Sequence, residues 1–424
     1  MTQNSNTPII ARPIYLQKII ESRHNHLIKI LTGVRRCGKS YLLFILYAAW
    51  LKEHGVDDSH IIQIDLEDRR NKALRDPDNL LNYIDSKMVD DSMYYIMIDE
   101  IQHVAEFEDV LNSYLKVMNA DVYVTGSNAR FLSKDVITTF RGRGDEIKVY
   151  PLCFREFMTV YSGSKEKGLD EYMTFGGMPQ LTEYSNESKK SEYLKSLFAN
   201  TYLRDIKERY NIRNDELMEN LLDIISSSIG SLTNPAKLAN TIQSVKHEAI
   251  SNKTVSTYLD YICESFLAEK VSRYDVKGKS YFDTPYKYYF VDLGLRNARL
   301  NFRQSEPTHM MENVIYNELR VRGFNVDVGV VPIVTRDSEG KQNRVQLEID
   351  FVCNLGSRKY YVQSAYRMPD EAKIKQEEAS LRRVDDSFKK IVILGEDILV
   401  RRNDAGITTI GIYDFLLNPN SLDL

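Results

Sequence analysis

Residues 33–40 read GVRRCGKS, in which two glycines, a lysine and a serine have the spacing of a phosphate-binding loop. Glycines let backbone N–H groups turn toward a phosphate, and the N-terminus of a following helix adds positive potential. In such a loop Lys39 reaches the β- and γ-phosphates, and the hydroxyl of Ser40 binds Mg²⁺. The nucleotide-binding residues expected from this stretch are Gly33, Val34, Arg35, Arg36, Cys37, Gly38, Lys39, Ser40 and Tyr41.

Two acidic residues, Asp99 and Glu100, follow the apolar run YYIMI at residues 94–98. In enzymes with such a loop, an aspartate at this place helps to hold Mg²⁺. An adjacent glutamate can orient and deprotonate the attacking water. The acidic pair therefore predicts hydrolysis and not binding alone, with Asp99 as a magnesium ligand and Glu100 as the catalytic base.

Four further polar residues could act on the γ-phosphate. Ser127 and Asn128 follow the run VYVTG, and either could sense the phosphate or position the water, although a simple turn is the alternative. Arg141 and Arg143 lie in the stretch FRGR. An arginine from the same or a neighbouring molecule can stabilise charge on the transferring phosphoryl group. A solvated basic loop is the alternative for this pair.

The elements that must position these residues alternate short apolar runs with helical stretches over the first 160 residues or so. The runs expected as strands occupy residues 27–32, 60–66, 94–98 and 121–125. Near-continuous apolar strands between helices are typical of a parallel sheet covered on both faces. The sequence therefore predicts an α/β fold with a P-loop, in which a strand precedes the loop and a helix of residues 41–51 follows it.

Residues from about 165 to 300 read mostly as helices, in a helix-turn-helix order followed by a wing. Helices are expected at 217–229 and 234–242 and from residue 252, and paired strands at 268–274 and 287–291. That order is typical of DNA-binding modules. However, Lys and Arg are balanced by Asp and Glu across residues 215–300, whereas a DNA-binding face normally clusters its cations. A module for packing or for protein contact is the alternative.

Several longer strings together resemble a known family. GVRRCGKS, YYIMIDEIQ, TGSNARFLS and FRGR followed by YPLCFREF are similar to the AAA-type ATPases of prokaryotes that carry a C-terminal domain of unknown function. The resemblance continues through GGMPQL (176–181), YLRDI (202–206) and KYYFVDLGLRNA (287–298), and covers nearly the whole chain. It implies ATP as the nucleotide, bound with Mg²⁺. Because such ATPases often assemble, a homo-oligomer is a further expectation.

The last part of the chain resembles the PD-(D/E)xK nuclease fold through Glu312, Asp350 and Gln363. There, a helix Glu, a strand Asp and the Glu of E-x-K bind a divalent metal, and the Lys helps to activate water. Here Gln363 stands in place of the second strand acid and Ala365 in place of the lysine. A neutral amide is a weaker ligand for a hard cation than a carboxylate. We therefore expect a nuclease-like fold with lost or much reduced cleavage; purely structural roles for Glu312 and Asp350 are the alternative.

These interpretations divide the chain into three predicted domains. They are an AAA-type P-loop ATPase domain at 1–162, a helical winged-helix domain at 163–302 and a degenerate, α/β nuclease-like domain at 303–424. The first hypothesis for function is an ATP-hydrolysing switch or motor that couples its nucleotide state to a partner, with nucleic acid, DNA included, as the partner considered first. The alternatives are an ATP-controlled, metal-dependent DNA nuclease and a scaffold that binds ATP without hydrolysing it.

Bulk composition agrees with a globular protein and leaves the partner open. The chain has 424 residues, 43% of them hydrophobic, and a formal net charge of −4, which does not by itself demand nucleic acid. Its four cysteines are far apart and lack metal-ligand spacing, so reduced thiols are expected. The N-terminal residues lack the apolar core of a signal peptide. A cytoplasmic protein without membrane segments is the resulting prediction.

Overall fold

The computed structural model describes residues 9–126, 142–246, 250–336 and 342–424. The chain divides into two compact units, the first spanning Met1–Pro151 with Glu264–Phe266 and the second Leu152–Cys263 with Leu267–Leu424. The predicted boundaries at residues 162/163 and 302/303 both fall inside the second unit. The division into three domains therefore stays a prediction.

A parallel sheet forms the centre of the first unit. Its described strands are β1 (Ile28–Thr32), β2 (Ile61–Asp65), β3 (Tyr94–Asp99), β4 (Ala120–Gly126) and β5 (Gly144–Lys148). They lie in the order β2-β3-β4-β1-β5, and every neighbouring pair is parallel. Because β1 lies between β4 and β5, the loop that follows it starts at the carboxyl ends of the strands, with a neighbouring strand on either side.

Helices cover this sheet, and the one after the phosphate-binding loop is continuous. It consists of Lys39–Tyr41, a π-helical segment at Leu42–Tyr47 and an α-helical segment at Ala48–Glu53. The other α-helices described in this unit are Pro13–Glu21, Pro77–Lys87 and Phe107–Tyr114. Ile, Val and Tyr side chains of β1–β4 pack with the latter two helices into one buried core.

The first unit confirms the predicted α/β fold around a parallel sheet, including the four predicted strands and the helix after the loop. The strand β5 was not predicted. Its sequence is GDEIK, and only Ile147 of these residues is buried. An edge strand has one neighbour and can carry charged residues, so it lacks the continuous apolar run of an inner strand.

The second unit begins with helices. The described α-helices before its sheet are Phe154–Met158, Lys165–Phe175, Glu187–Leu197, Arg204–Tyr210, Asp215–Ser227, Pro235–Lys246 and Asn252–Glu264. A π-helical segment, Phe198–Leu203, joins the third to the fourth. Later helices are Leu293–Arg299, Pro307–Val321, Glu371–Glu378 and Ile412–Leu417. Pro307–Val321 is buried along most of its length, as expected for a helix that contacts neighbours on several sides.

The strands of the second unit form one mixed sheet. They are β6 (Ala268–Asp275), β7 (Ser280–Phe290), β8 (Asn325–Arg336), β9 (Gln342–Leu355), β10 (Arg358–Ala365), β11 (Lys389–Leu394), β12 (Arg401–Arg402) and β13 (Ile407–Gly411). Their order is β12-β13-β11-β10-β9-β8-β6-β7. The predicted wing strands do pair with each other, as β6 and β7, but β6 also pairs in parallel with β8. The predicted wing is therefore part of the larger sheet and not a free hairpin.

No helix among the described residues combines the length and the apolar character needed to cross a lipid bilayer.

Candidate nucleotide site

The loop between β1 and its helix has the backbone that a phosphate-binding loop requires. Gly33 has φ of 139° and Gly38 has φ of 99°, both in the region that glycine adopts easily. A Cβ atom at Gly33 would lie 2.1 Å from the backbone oxygen of Val149. Any side chain at position 33 would therefore collide with the backbone of Val149, in addition to the strain that the positive φ would impose.

Lys39 occupies the interior of this loop. Its Nζ donates hydrogen bonds to the backbone oxygens of Gly33 at 3.0 Å and Val34 at 3.2 Å, and its side chain is buried. An ammonium held by two carbonyls can exchange them for phosphate oxygens, which bind a cation more strongly because they are charged. The position of Lys39 therefore suits contact with a nucleotide's phosphates.

The other residues of the predicted loop lie in different environments. Arg36 is exposed and has φ of 62°. Arg35 extends to the surface, where its Nη2 lies 2.8 Å from Glu67 Oε1. The remaining side chains of the stretch are buried or half-buried: Val34, Cys37 and Tyr41.

Hydrogen bonds connect the end of the loop to the ends of β3 and β4. The Ser40 hydroxyl donates toward both carboxylate oxygens of Asp99, at 2.8 Å each. The Thr125 hydroxyl donates to Asp99 Oδ1 at 2.5 Å and accepts from the backbone N–H of Glu100 at 2.9 Å. Asp99 is thus held from both sides, in contact with the serine expected to share its metal ion.

Asp99 is electrostatically suited to a cation. Burial raises the pKa of Asp99 from 3.8 to about 6, although the hydrogen bonds from Thr125 and Ser40 counteract the shift. The charges of Glu100 and Asp65 add to it. A buried carboxylate with acidic neighbours gains from a nearby cation, and Mg²⁺ prefers oxygen ligands such as this carboxylate and the Ser40 hydroxyl. These residues therefore fit the magnesium ion that the sequence predicts.

Glu100 lies immediately after β3 in a left-handed backbone conformation, with φ of 53° and ψ of 50°. It is buried, and its Oε2 accepts a hydrogen bond from the side-chain amide of Gln102. Non-glycine residues in this conformation cost about 1–3 kcal/mol and occur preferentially at functional sites. The backbone bond to Thr125 and the amide of Gln102 keep Glu100 beside Asp99, which is where a general base is required.

Sequence reasoning missed two residues that hold this site. Thr125, the penultimate residue of β4, binds Asp99 and the backbone N–H of Glu100, whereas the sequence singled out only residues of the following turn. Arg12 is buried, and its guanidinium donates to the backbone oxygens of Cys37 at 3.0 Å, Tyr150 at 2.7 Å and Pro151 at 3.4 Å. Its contact with Cys37 fixes the phosphate-binding loop from outside. No motif marks Arg12, since its partners are backbone atoms far along the chain.

Arg143 does not lie near the loop. Its backbone oxygen accepts from Ile28 N–H at 2.9 Å, and it directly precedes β5, whose first residue pairs with Ile28. The loop follows the other end of β1, five residues away, or roughly 16 Å along a strand. The backbone thus places Arg143 at the end of β1 opposite the loop, and its predicted action on a nucleotide, in the same or in a neighbouring molecule, stays a prediction. The other candidates from this region, Ser127, Asn128 and Arg141, lie outside the described residues and stay predictions.

The three residues of the predicted nuclease-like site do come close together in the second unit. Lys287 Nζ lies 2.9 Å from Glu312 Oε1 and 3.9 Å from Asp350 Oδ1. The backbone N–H of Asp350 donates to Gln363 Oε1 at 3.4 Å. Lys287, which lies on β7, was not predicted as a member of this group.

Charge and burial define this second cluster. Lys287, Glu348, Glu312 and Asp350 shift one another's pKa values, and burial shifts them as well. The net shift has opposite signs for Asp350 and Glu312. Burial and the charge of Glu312 raise the pKa of Asp350 well above its ordinary value. Burial opposes ionisation of Glu312, but Lys287, His309 and Tyr289 outweigh it and lower the pKa of Glu312. The cluster thus holds one firmly charged acid beside one that resists ionisation.

Comparison with known families agrees with the first site. The profile of a family described as "AAA domain" matches residues 25–158, and that of a "Domain of unknown function (DUF8612)" matches residues 166–306. Among solved structures, the Walker-type ATPase PABY2304 of Pyrococcus abyssi is similar with a TM-score of 0.49 and 16% identity, over 69% of this chain and 96% of that one. The Aeropyrum pernix ORC1 protein in complex with DNA is similar with a TM-score of 0.27 and 12% identity, over 69% and 92%.

Curated relatives extend over the whole length. An uncharacterized protein of Methanocaldococcus jannaschii, MJ1544, is 28% identical over 91% of this chain and 85% of its own. An uncharacterized protein of Haemophilus influenzae is 34% identical over 96% of this chain and 99% of its own. The chain therefore belongs to the same family as this Haemophilus influenzae protein, and within the chain residues 25–158 match an AAA domain.

Proposed function

We propose that this chain hydrolyses ATP and couples its nucleotide state to a nucleic-acid partner. Lys39 binds the β- and γ-phosphates, Ser40 and Asp99 hold Mg²⁺, and Glu100 deprotonates the attacking water. The bound magnesium ion would supply positive charge to the transferring phosphoryl group. The other steps belong to the chain's own side chains.

The observation that carries this proposal is the chain of hydrogen bonds from Ser40 through Asp99 and Thr125 to Glu100. It fixes the serine, the metal-binding acid and the base in one arrangement. A protein that only stored ATP would need the phosphate-binding loop but no buried glutamate beside Asp99. The strained backbone of Glu100 supports hydrolysis for the same reason, since strain persists where the surroundings enforce it.

We further propose that Arg143 acts on the nucleotide of a neighbouring molecule. It is exposed and precedes β5 at the end of the sheet opposite its own loop. An arginine there can reach a γ-phosphate only in an assembly, so turnover per molecule is expected to rise with protein concentration. Arg143→Ala should lower that turnover by up to about 10³-fold, as the loss of such an arginine does in other phosphoryl-transfer proteins.

A mixture of two variants tests this assignment. Arg143→Ala retains Glu100, and Glu100→Gln retains Arg143. An interface between one molecule of each variant can therefore combine an intact Glu100 with an intact Arg143. Phosphate release should therefore recover when the two inactive variants are mixed. If Arg143→Ala alone hydrolyses ATP like the wild type at every concentration, Arg143 has no role in catalysis.

The second unit supports a nucleic-acid partner through the order of its elements. Helices Asp215–Ser227, Pro235–Lys246 and Asn252–Glu264 precede the β6–β7 hairpin, which is the order of a winged helix. Lys277 and Lys279 are exposed at the hairpin turn. We propose that this face contacts the phosphates of DNA, and that residues 303–424 retain a nuclease-like fold.

The rate of ATP hydrolysis in the presence of different nucleic acids tests the coupling. Single-stranded, duplex and branched DNA are added at low salt to the wild type and to Lys39→Ala, which lacks the phosphate-binding ammonium. Stimulation by one DNA form is expected in the wild type only, and it should weaken as salt rises because counterions compete for the phosphates. An ATPase rate that no DNA form changes would favour a protein partner instead.

A further inference from the structure

Lys287 of β7 lies at the centre of the acidic cluster in the second unit. Its Nζ is 2.7 Å from Glu348 Oε1, 2.9 Å from Glu312 Oε1 and 3.9 Å from Asp350 Oδ1. Only 4% of the Lys287 side chain is exposed. An ammonium has three N–H groups, and two of them are taken by carboxylates at hydrogen-bond distance.

Two of these acids, Glu312 and Asp350, are the residues at which a nuclease of the predicted fold would bind its metal. Magnesium binds oxygen at about 2.0–2.1 Å and calcium at about 2.3–2.6 Å. Here Glu348 and Glu312 lie instead at hydrogen-bond distance from a nitrogen atom, and Asp350 lies 3.9 Å from it. In the described part of the chain, no three His, Cys, Asp or Glu side chains are arranged to hold a metal ion. The residues present therefore do not fit a divalent metal while Lys287 lies between them.

We propose that Lys287 is a built-in cation that replaces the divalent metal of a nuclease-like centre, so that the second unit neither binds metal there nor cleaves DNA. A lysine that activates water in a nuclease must reach the water and the phosphodiester. Lys287 is buried, and its N–H groups are directed at carboxylates. It also comes from β7, whereas the lysine expected at position 365 would have extended from β10, where Ala365 is buried.

The remaining neighbours complete the shell of this cation. The Tyr289 hydroxyl donates to Glu312 Oε1, and the backbone N–H of Ser364 donates to Asp350 Oδ2 at 2.8 Å. Glu312 and Asp350 therefore each have a further partner that holds them beside Lys287. Removing the ammonium would leave these carboxylates close together, buried and without their cation.

Lys287→Met provides the main test, followed by thermal unfolding in the absence of nucleotide. The melting temperature should fall by roughly 10 °C, because removing one partner of a buried ion pair leaves the other charge buried without compensation. Added Ca²⁺ should then restore most of this loss, since the Glu348 and Glu312 oxygens need to close in by only a few tenths of an ångström and the Asp350 oxygen by a little over 1 Å. The double variant Lys287→Met, Asp350→Asn should not be restored. Lys270→Met on the adjacent strand β6 is the matched control, because Lys270 pairs with Asp260 at the surface. The melting temperature of this variant should stay near that of the wild type and should not rise when Ca²⁺ is added.

A measurement on the wild type decides the question even if Lys287→Met fails to fold. Without nucleotide, Ca²⁺ and Mn²⁺ should leave its melting temperature unchanged, as they should that of Asp350→Asn. A rise in the wild type that Asp350→Asn abolishes would overturn the proposal. So would metal-dependent cutting of supercoiled DNA that depends on Asp350, or a folded Lys287→Met variant that Ca²⁺ does not stabilise.

Discussion

Glu100→Gln is expected to lower the rate of ATP hydrolysis by roughly 10²–10⁴-fold, the range that a general base contributes. The amide has the shape of the carboxyl group but cannot accept the proton of the attacking water. Binding of ATP should stay close to that of the wild type, because Lys39 and Ser40 are unchanged. The measurement combines single-turnover phosphate release with the binding of a fluorescent ATP analogue.

Glu106→Gln is the matched control for this change. Glu106 is also a glutamate in the left-handed region, with φ of 51°, and it lies six residues further along the chain, but it is exposed. Its replacement should leave hydrolysis unaffected. If Glu100→Gln hydrolyses ATP at the rate of the wild type, another residue is the base and the assignment of Glu100 is wrong.

Asp99→Asn should make the nucleotide-free protein more stable while it removes magnesium-dependent turnover. Burial raises the pKa of Asp99 from 3.8 to about 6, so keeping it ionised costs free energy of folding. A shift of this size corresponds to at most about 3 kcal/mol, or on the order of 5–10 °C in melting temperature. Turnover should fall because an amide is a weaker ligand for Mg²⁺ than a carboxylate.

The pH dependence of the stability difference gives the sign of the effect. The cost of ionising Asp99 is fully present above pH 6 and disappears as the pH falls below 3.8, where Asp99 is protonated in the folded and the unfolded chain alike. The advantage of Asp99→Asn in melting temperature should therefore be largest near pH 8 and vanish near pH 4.

Asp65→Asn is the control, because Asp65 pairs in register with Asp99 on the adjacent strand and binds backbone N–H groups that an amide oxygen can also bind. It should raise the melting temperature much less than Asp99→Asn does, because the charge of Asp65 contributes less than burial to the raised pKa of Asp99. A folded Asp99→Asn variant that melts below the wild type at pH 8 would contradict the electrostatic argument. In that case the lost hydrogen bonds from Ser40 and Thr125 would matter more than the buried charge.

Much of the first site could be predicted because its signals are local. The glycines, Lys39 and Ser40 belong to one loop, and the strand and the helix on either side have their own apolar patterns. Asp99 and Glu100 could be placed beside the loop because the carboxyl ends of parallel strands meet at one edge of a sheet. The same rule would have identified Thr125, had the last inner residues of β4 been considered together with the turn that follows them.

The residues that were missed act through partners far along the chain. Arg12 binds backbone oxygens more than a hundred residues away, and a backbone oxygen leaves no trace in the sequence. Lys287 lies on β7, at the edge of the second sheet, whereas Asp350 lies on β9. The two residues come close only when β6 and β7 join the strands that follow them in the chain. The sequence around Lys287 indicated a wing, because the pairing of β6 with β7 is local whereas the pairing of β6 with β8 is not.

The contact of Arg12 with the phosphate-binding loop shows that the nucleotide-binding unit begins before the match to the AAA domain. The match to the AAA domain starts at residue 25, yet the guanidinium that binds the Cys37 carbonyl lies thirteen residues before that point. The helix Pro13–Glu21 follows directly, and the Tyr15 hydroxyl accepts a hydrogen bond from the backbone N–H of Tyr150. A chain that began at residue 25 would lose Arg12 and Tyr15. It would then lack the hydrogen bonds that connect the phosphate-binding loop with Tyr150, which follows β5. Residues 12–21 are therefore a structural part of the first unit, although they precede the match to the AAA domain.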